Sequence, residues 1–143
     1  MPFALRYRSK WHTFVFLSEG DFLCHMILLV DDNNVSRGAF AKILRLHGHD
    51  VMEAADAREG LDMLGNLHFD LVITDFVMPD ISGFQFIAQI RQGWPRTPIL
   101  LMSGYLTTEV GEIISDGVEF IPKPVELPVL LEAIERLVPK QRL

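Results

Sequence analysis

Apolar residues in this chain fall into short runs, separated by longer stretches in which they recur every three to four positions. Met26–Val30 is uninterrupted, and Leu71–Thr74 and Ile99–Met102 are nearly as uniform. Val51–Ala54 and Val118–Ile121 are shorter on apolar content but have the same length and spacing. Runs of this kind predict strands buried on both faces. Between them, Val35–Leu46 carries apolar side chains at 35, 39, 40, 43, 44 and 46, one face of a helix that Gly48 stops. Asp56 and Glu59 have capping-box spacing and open a helix with Leu61, Met63 and Leu64. Phe84–Gln92 places Phe86, Ile87 and Ile90 at helical spacing, and Thr107–Ser115 is a weaker helix that contains Gly111. Leu127, Leu130, Leu131, Ile134, Leu137 and Val138 form the stripe of a last helix, with Pro128 in its first turn. The alternation predicts an open parallel sheet covered on both faces by helices.

Residues 1–25 do not join this alternation. They are read as a loosely held N-terminal extension to a domain spanning 26–143, and Met26 is itself a candidate initiator. The chain of 143 residues suits one core of this kind, and 49% hydrophobic against 22% charged residues marks it as globular. Net charge is −6 overall, and the extension carries +1, so the domain is the acidic part. An acidic domain with no basic stripe argues against direct nucleic-acid binding. Cys24 stands alone, which excludes an intrachain disulfide and suits a reducing compartment. The apolar stretch Trp11–Ser18 is too short to span a membrane, and no cleavage site for a signal peptide follows it. The expected location is the cytoplasm, away from the membrane.

The strand ends carry the chemistry. Asp31 and Asp32 follow the first run, Asp75 the third, Ser103 the fourth and Lys123 the fifth. In open parallel sheets, sites form outside the carboxyl ends of the strands, so these side chains should meet at one edge. Adjacent carboxylates in a strand-to-helix loop, joined by a third, can hold a divalent cation such as Mg²⁺. A carboxylate beside a cation is a usable nucleophile toward a phosphoryl group. A lysine and a hydroxyl can then pair with the phosphoryl oxygens. Any one aspartate at a strand end is more often a cap or turn residue than a ligand, but five such positions on four strands are not explained by capping. Phe120 also reads as core, Ser103 and Gly104 as turn residues, and Tyr105 as a partly exposed aromatic. His47, His49 and His68 lack ligand spacing and read as surface.

With Val30-Asp31-Asp32, Asp75-Phe76-Val77-Met78-Pro79 with Gly83 downstream, Met102-Ser103-Gly104 and Phe120-Ile121-Pro122-Lys123-Pro124 quoted, the stretch 26–143 resembles the receiver domain of two-component response regulators. The resemblance implies a flavodoxin-like, doubly wound (βα)5 fold with strand order 2-1-3-4-5. It implies that Asp75 is the phosphoacceptor, served by a histidine kinase or histidine phosphotransfer protein. It implies Mg²⁺, or Mn²⁺, held by Asp31, Asp32, Asp75 and the Val77 backbone carbonyl. Ser103, Gly104 and Lys123 would bind the phosphoryl group, with Ser103 and Phe120 as the switch pair and the Lys123–Pro124 bond cis. The expected function is signalling by a phosphorylation-induced switch, with self-phosphotransfer and slow self-dephosphorylation in place of enzymatic turnover. A monomer, or a weak phosphorylation-dependent dimer, is expected. Few residues follow the last helix, so no output domain is expected. Two other classes stand beside this reading. An aspartyl-phosphate hydrolase wants an aspartate two residues after the nucleophile, where this chain has Val77. A phosphate-independent pseudo-receiver scaffold usually loses the acceptor, an acidic ligand or the lysine, all of which are kept here.

Overall fold

In the computed structural model, the described residues are 5–8, 14–17, 25–104 and 117–138. Strands β1 (Leu5–Arg8) and β2 (Phe14–Leu17) pair antiparallel as a small separate sheet. The sequence pattern assigned no element there. The main sheet is built from β3 (Met26–Val30), β4 (Asp50–Ala54), β5 (Leu71–Asp75), β6 (Ile99–Ser103) and β7 (Val118–Pro122). All its pairings are parallel, in the order β4-β3-β5-β6-β7. Counted within that sheet, this is the expected 2-1-3-4-5. Each predicted strand is present, with its ends moved by no more than a residue. Four helices are described: α1 (Asn34–Leu46), α2 (Ala57–Asn66), α3 (Gly83–Gly93) and α4 (Leu127–Leu137). The predicted helix Thr107–Ser115 lies outside the described residues, as does Tyr105.

The period of two along each strand divides the core. Leu28, Val30, Val72, Ile99 and Leu101 face one way and pack with Ala57, Leu64, Phe86, Ile87 and Ile90 of α2 and α3. Ile27, Leu29, Leu71, Ile73, Leu100 and Met102 face the other way, against Ala41 and Leu44 of α1 and Leu130, Ala133 and Ile134 of α4. Strand β5 is buried at every residue because the order places it in the middle. Helix starts follow local side chains. Asn33 accepts from the Ser36 amide, Asp56 from the Glu59 amide, and Ser82 forms a full capping box with Gln85. Glu59 turns back to the Ala55 amide, 3.0 Å away, one residue before the position a reciprocal box would use. Gly48 ends α1 at φ 90°, a conformation that a Cβ would strain. The Lys123–Pro124 bond is cis. Among the described residues no helix is long and apolar enough to cross a membrane.

The end of the sheet opposite the strand C-termini holds a polar pair. His25, one residue before β3, is buried and stacks on buried His49, with ring centroids 5.4 Å apart and planes 15° from parallel. The His25 amide donates to His49 Nδ1 at 3.2 Å. This corrects the surface reading of His49. His47 and His68 are exposed.

Candidate functional site

Strand register brings the chemistry together. Val30 is level with Thr74, Asp75 with Met102, and Ser103 with Pro122. Asp31, Asp75, Ser103 and Lys123 therefore leave the sheet at one edge, each at or just past a strand end. No alternative register would do this, since a slip of one residue would turn every side chain to the other face.

Carboxylate oxygens of Asp31, Asp32 and Asp75 lie within 4.8 Å of one another. Asp31 and Asp75 are buried, and Asp32 is exposed. Lys123 Nζ sits 2.9 Å from Asp75 Oδ2. The other Asp75 oxygen accepts from the Val77 amide at 3.4 Å. Asp31 Oδ1 accepts from the Asn33 amide at 2.9 Å, while Asp31 Oδ2 is buried with no hydrogen-bond partner. The Asp31 carboxyl is held above its usual range. Burial is the main cause, with Asp75 and Asp32 adding to it and the Asn33 amide and Lys123 opposing it. One lysine cannot offset three clustered carboxylates. A buried carboxylate oxygen without a donor is costly unless a cation completes it. The residues present therefore form a cluster able to coordinate a divalent metal, with hard oxygen donors suited to a hard ion.

The remaining predicted residues border this cluster. Ser103 is buried at the end of β6, and its carbonyl accepts from the Lys123 amide at 2.9 Å, locking the ends of β6 and β7 together. Gly104 follows it into open space, since an added Cβ there would meet nothing within 4 Å. Val77, two residues past Asp75, is 59% exposed. Phe120 is half-buried, level with Leu101, and packs on the α2–α3 side of the core. It lies below the site and not in it. The sequence reading missed Arg37 and Glu53. Arg37 donates to the Asp31 carbonyl at 2.7 Å and approaches Glu53 at 3.4 Å. No local pattern announces either contact.

The sequence pattern of the response regulator receiver domain family matches residues 27–135, and the chain belongs to that family. It is 33% identical over 112 residues to the response regulator protein FleR of Pseudomonas aeruginosa, covering 77% of this chain and 24% of FleR. It is 29% identical over 119 residues to the sensor kinase CckA of Brucella abortus, covering 80% of this chain and 13% of that protein. Among solved structures, the chemotaxis protein CheY4 of Vibrio cholerae superposes with a TM-score of 0.74 at 29% identity, covering 79% of this chain and 98% of CheY4. The chain thus spans about a quarter of FleR, yet nearly matches the whole of CheY4.

Proposed function

We propose that the chain accepts a phosphoryl group on Asp75 from the phosphohistidine of a histidine kinase or phosphotransfer protein and signals by the resulting conformational change. The observation that carries this reading is the arrangement of Asp75 within the three-carboxylate cluster, with Lys123 2.9 Å from its Oδ2. Asp31, Asp32, Asp75 and the Val77 carbonyl would hold Mg²⁺, which offsets negative charge as two anionic groups approach. An Asp75 oxygen attacks phosphorus, an O–P bond forms, and the N–P bond of the donor breaks with its electrons returning to the imidazole. Lys123 leaves its ion pair to bind a phosphoryl oxygen. The Ser103 hydroxyl donates to another, and the space beside Gly104 admits it. Moving Ser103 toward the phosphoryl group frees room at the end of β6. Phe120, half-buried on the adjacent strand, is the side chain placed to follow.

Two relatives support the choice of donor: one is a response regulator and the other a sensor kinase. The cytoplasm is the corresponding compartment. The test is intact-mass measurement after incubation with phosphoramidate, with and without Mg²⁺. One phosphoryl group is expected on the native chain with Mg²⁺, and none on Asp75→Asn. Stoichiometric labelling of that variant would overturn the assignment.

A further inference from the structure

Asp31 is the more deeply buried of the two buried members of the acidic cluster, and its peptide is gripped from both sides. Its amide donates to the carbonyl of Ala54 on β4, at 3.1 Å. Its carbonyl accepts from Arg37 Nη1, at 2.7 Å. Arg37 lies in the first turn of α1, where Nη2 also donates to Asn34 Oδ1 at 2.9 Å. Its Nε faces Glu53 Oε1 at 3.4 Å. Glu53 is the residue before Ala54, so the edge strand supplies one grip on Asp31 directly and anchors the Arg37 side chain that supplies the other. The far oxygen of Glu53 takes Arg45 Nη1 at 3.3 Å, and Arg45 Nη2 donates to the Val51 carbonyl at 2.7 Å. A cation on a carbonyl makes a strong, directional bond, and the guanidinium fork binds several acceptors at once.

This grip has a consequence for the carboxylate. Asp31 Oδ1 is occupied by the Asn33 amide and Oδ2 is left buried with no partner, in a carboxylate that lies within 4.8 Å of those of Asp32 and Asp75. A peptide held at both its N–H and its C=O cannot rotate, which narrows the directions open to its side chain. Arg37 spends its charge on the carbonyl and on Glu53, so the cation does not compete for the cluster.

We propose that Arg37, anchored by Glu53, is the positioning residue of the metal site: it fixes the Asp31 peptide and thereby aims Asp31 Oδ2 at the ion. The inference rests on the reading of the acidic cluster as a Mg²⁺ site. Partners that orient metal ligands typically change metal affinity by about 10–100-fold when removed. Titration calorimetry of the full chain with magnesium chloride tests it, together with melting curves with and without Mg²⁺. Arg37→Ala should bind Mg²⁺ about 10-fold or more weakly, and its gain in Tm on adding Mg²⁺ should shrink. Arg37→Lys should fall between, because a point charge reaches the Asp31 carbonyl or Glu53 but not both. Arg136→Ala, whose guanidinium pairs with Glu119 at 3.1 Å on another strand and touches none of these residues, should keep the native affinity, and an equal loss there would overturn the assignment to Arg37. A folded Arg37→Ala chain with native affinity overturns the proposal. If Arg37→Ala does not fold, Glu53→Gln carries the test: it should weaken binding, and native affinity there overturns the proposal equally. A native chain that binds no Mg²⁺ overturns both this inference and the metal reading beneath it, which keeps the two failures distinct.

Discussion

Lys123 Nζ and Asp75 Oδ2 are 2.9 Å apart although 48 residues separate them in sequence, and theirs is the ion pair inside the acidic cluster. The pair is partly buried, and β5 and β6–β7 must be in register for it to form. The same contact that neutralises the nucleophile in the resting state is therefore the one exchanged for a phosphoryl oxygen in the proposed reaction.

Lys123→Ala leaves the buried Asp75 carboxylate without its cation, so the metal-free chain should lose about 1–3 kcal/mol, and the rate is compared on the folded chain in Mg²⁺. Labelling by phosphoramidate should slow by about tenfold or more, the equivalent of roughly 1.4 kcal/mol lost from the transition state. Time-resolved intact mass reads the rate. Unchanged kinetics would remove Lys123 from the chemistry.

Asp31→Asn should make the metal-free chain more stable at neutral pH. It removes a buried charge that lies beside Asp75 and Asp32 and whose Oδ2 has no donor. A gain of about 1 kcal/mol would raise Tm by roughly 3–6 °C for a domain of this size. Adding Mg²⁺ should reverse the order, stabilising the native chain and not the variant. Melting curves in EDTA and in Mg²⁺ decide it, and a lower Tm for the variant in EDTA would mean that Asp31 serves the fold more than the site.

The strands were legible because β3, β5 and β6 are buried on both faces and so must be apolar at nearly every position. The site was legible for a related reason: a charged residue at the end of such a run, as at Asp31 and Asp75, interrupts a pattern that burial imposes, and Lys123 stands out by its place between Pro122 and Pro124. What escaped has no local pattern. Arg37 looks like any polar residue in the first turn of a helix, and only the fold brings it to the Asp31 carbonyl. His49 looks like a turn residue, and is buried because His25, 24 positions earlier, stacks on it and donates its amide. Strands β1 and β2 are four residues each, too short for a period to stand out.

Gly83→Ala should be destabilising. An added Cβ would lie 2.8 Å from the Phe76 Cα, Cδ2 and carbonyl oxygen, and the Gly83 amide already donates to that oxygen at 2.8 Å. Backbone that close cannot give way without moving the loop that leaves Asp75. A loss of about 1–3 kcal/mol is expected, read by urea melts at matched pH, and a variant of native stability would show that the loop moves freely.

Acid should weaken the fold through His49. Its imidazole is pushed from 6.5 down to about 4, by burial first and then by His25 and His47. His25 is also lowered by burial, against an opposing pull from Asp70. A depressed histidine means that the unfolded chain binds more protons between these values, so stability rises with pH across the window. The contribution is complete above pH 6.5 and is lost as pH falls toward about 4. His49→Asn keeps an acceptor for the His25 amide but does not titrate. Its Tm should vary less between those limits than the native Tm does. Asp31 acts in the opposite sense and is common to both chains, so the difference isolates His49. Parallel curves would locate the acid sensitivity elsewhere.

The phosphorylated state should be long-lived. Hydrolysis requires a water in line with the bond between Asp75 and phosphorus. Val77 lies beside the acceptor: its amide donates to Asp75 Oδ1 at 3.4 Å, and the residue is 59% exposed. An isopropyl group there offers water no hydrogen bond. Transfer from a phosphohistidine does not depend on such a bond, because the donor imidazole is held in line by its own protein and no water has to be oriented. Self-dephosphorylation should therefore be slow, on the order of minutes or longer, which corresponds to a barrier above about 20 kcal/mol. Val77→Asn supplies a donor and an acceptor at the same position and should speed loss of the phosphoryl group by several-fold. Following the phosphorylated mass after removal of phosphoramidate measures both lifetimes. A native lifetime of seconds, unchanged by the substitution, would mean that Val77 does not control the access of water to the acyl phosphate.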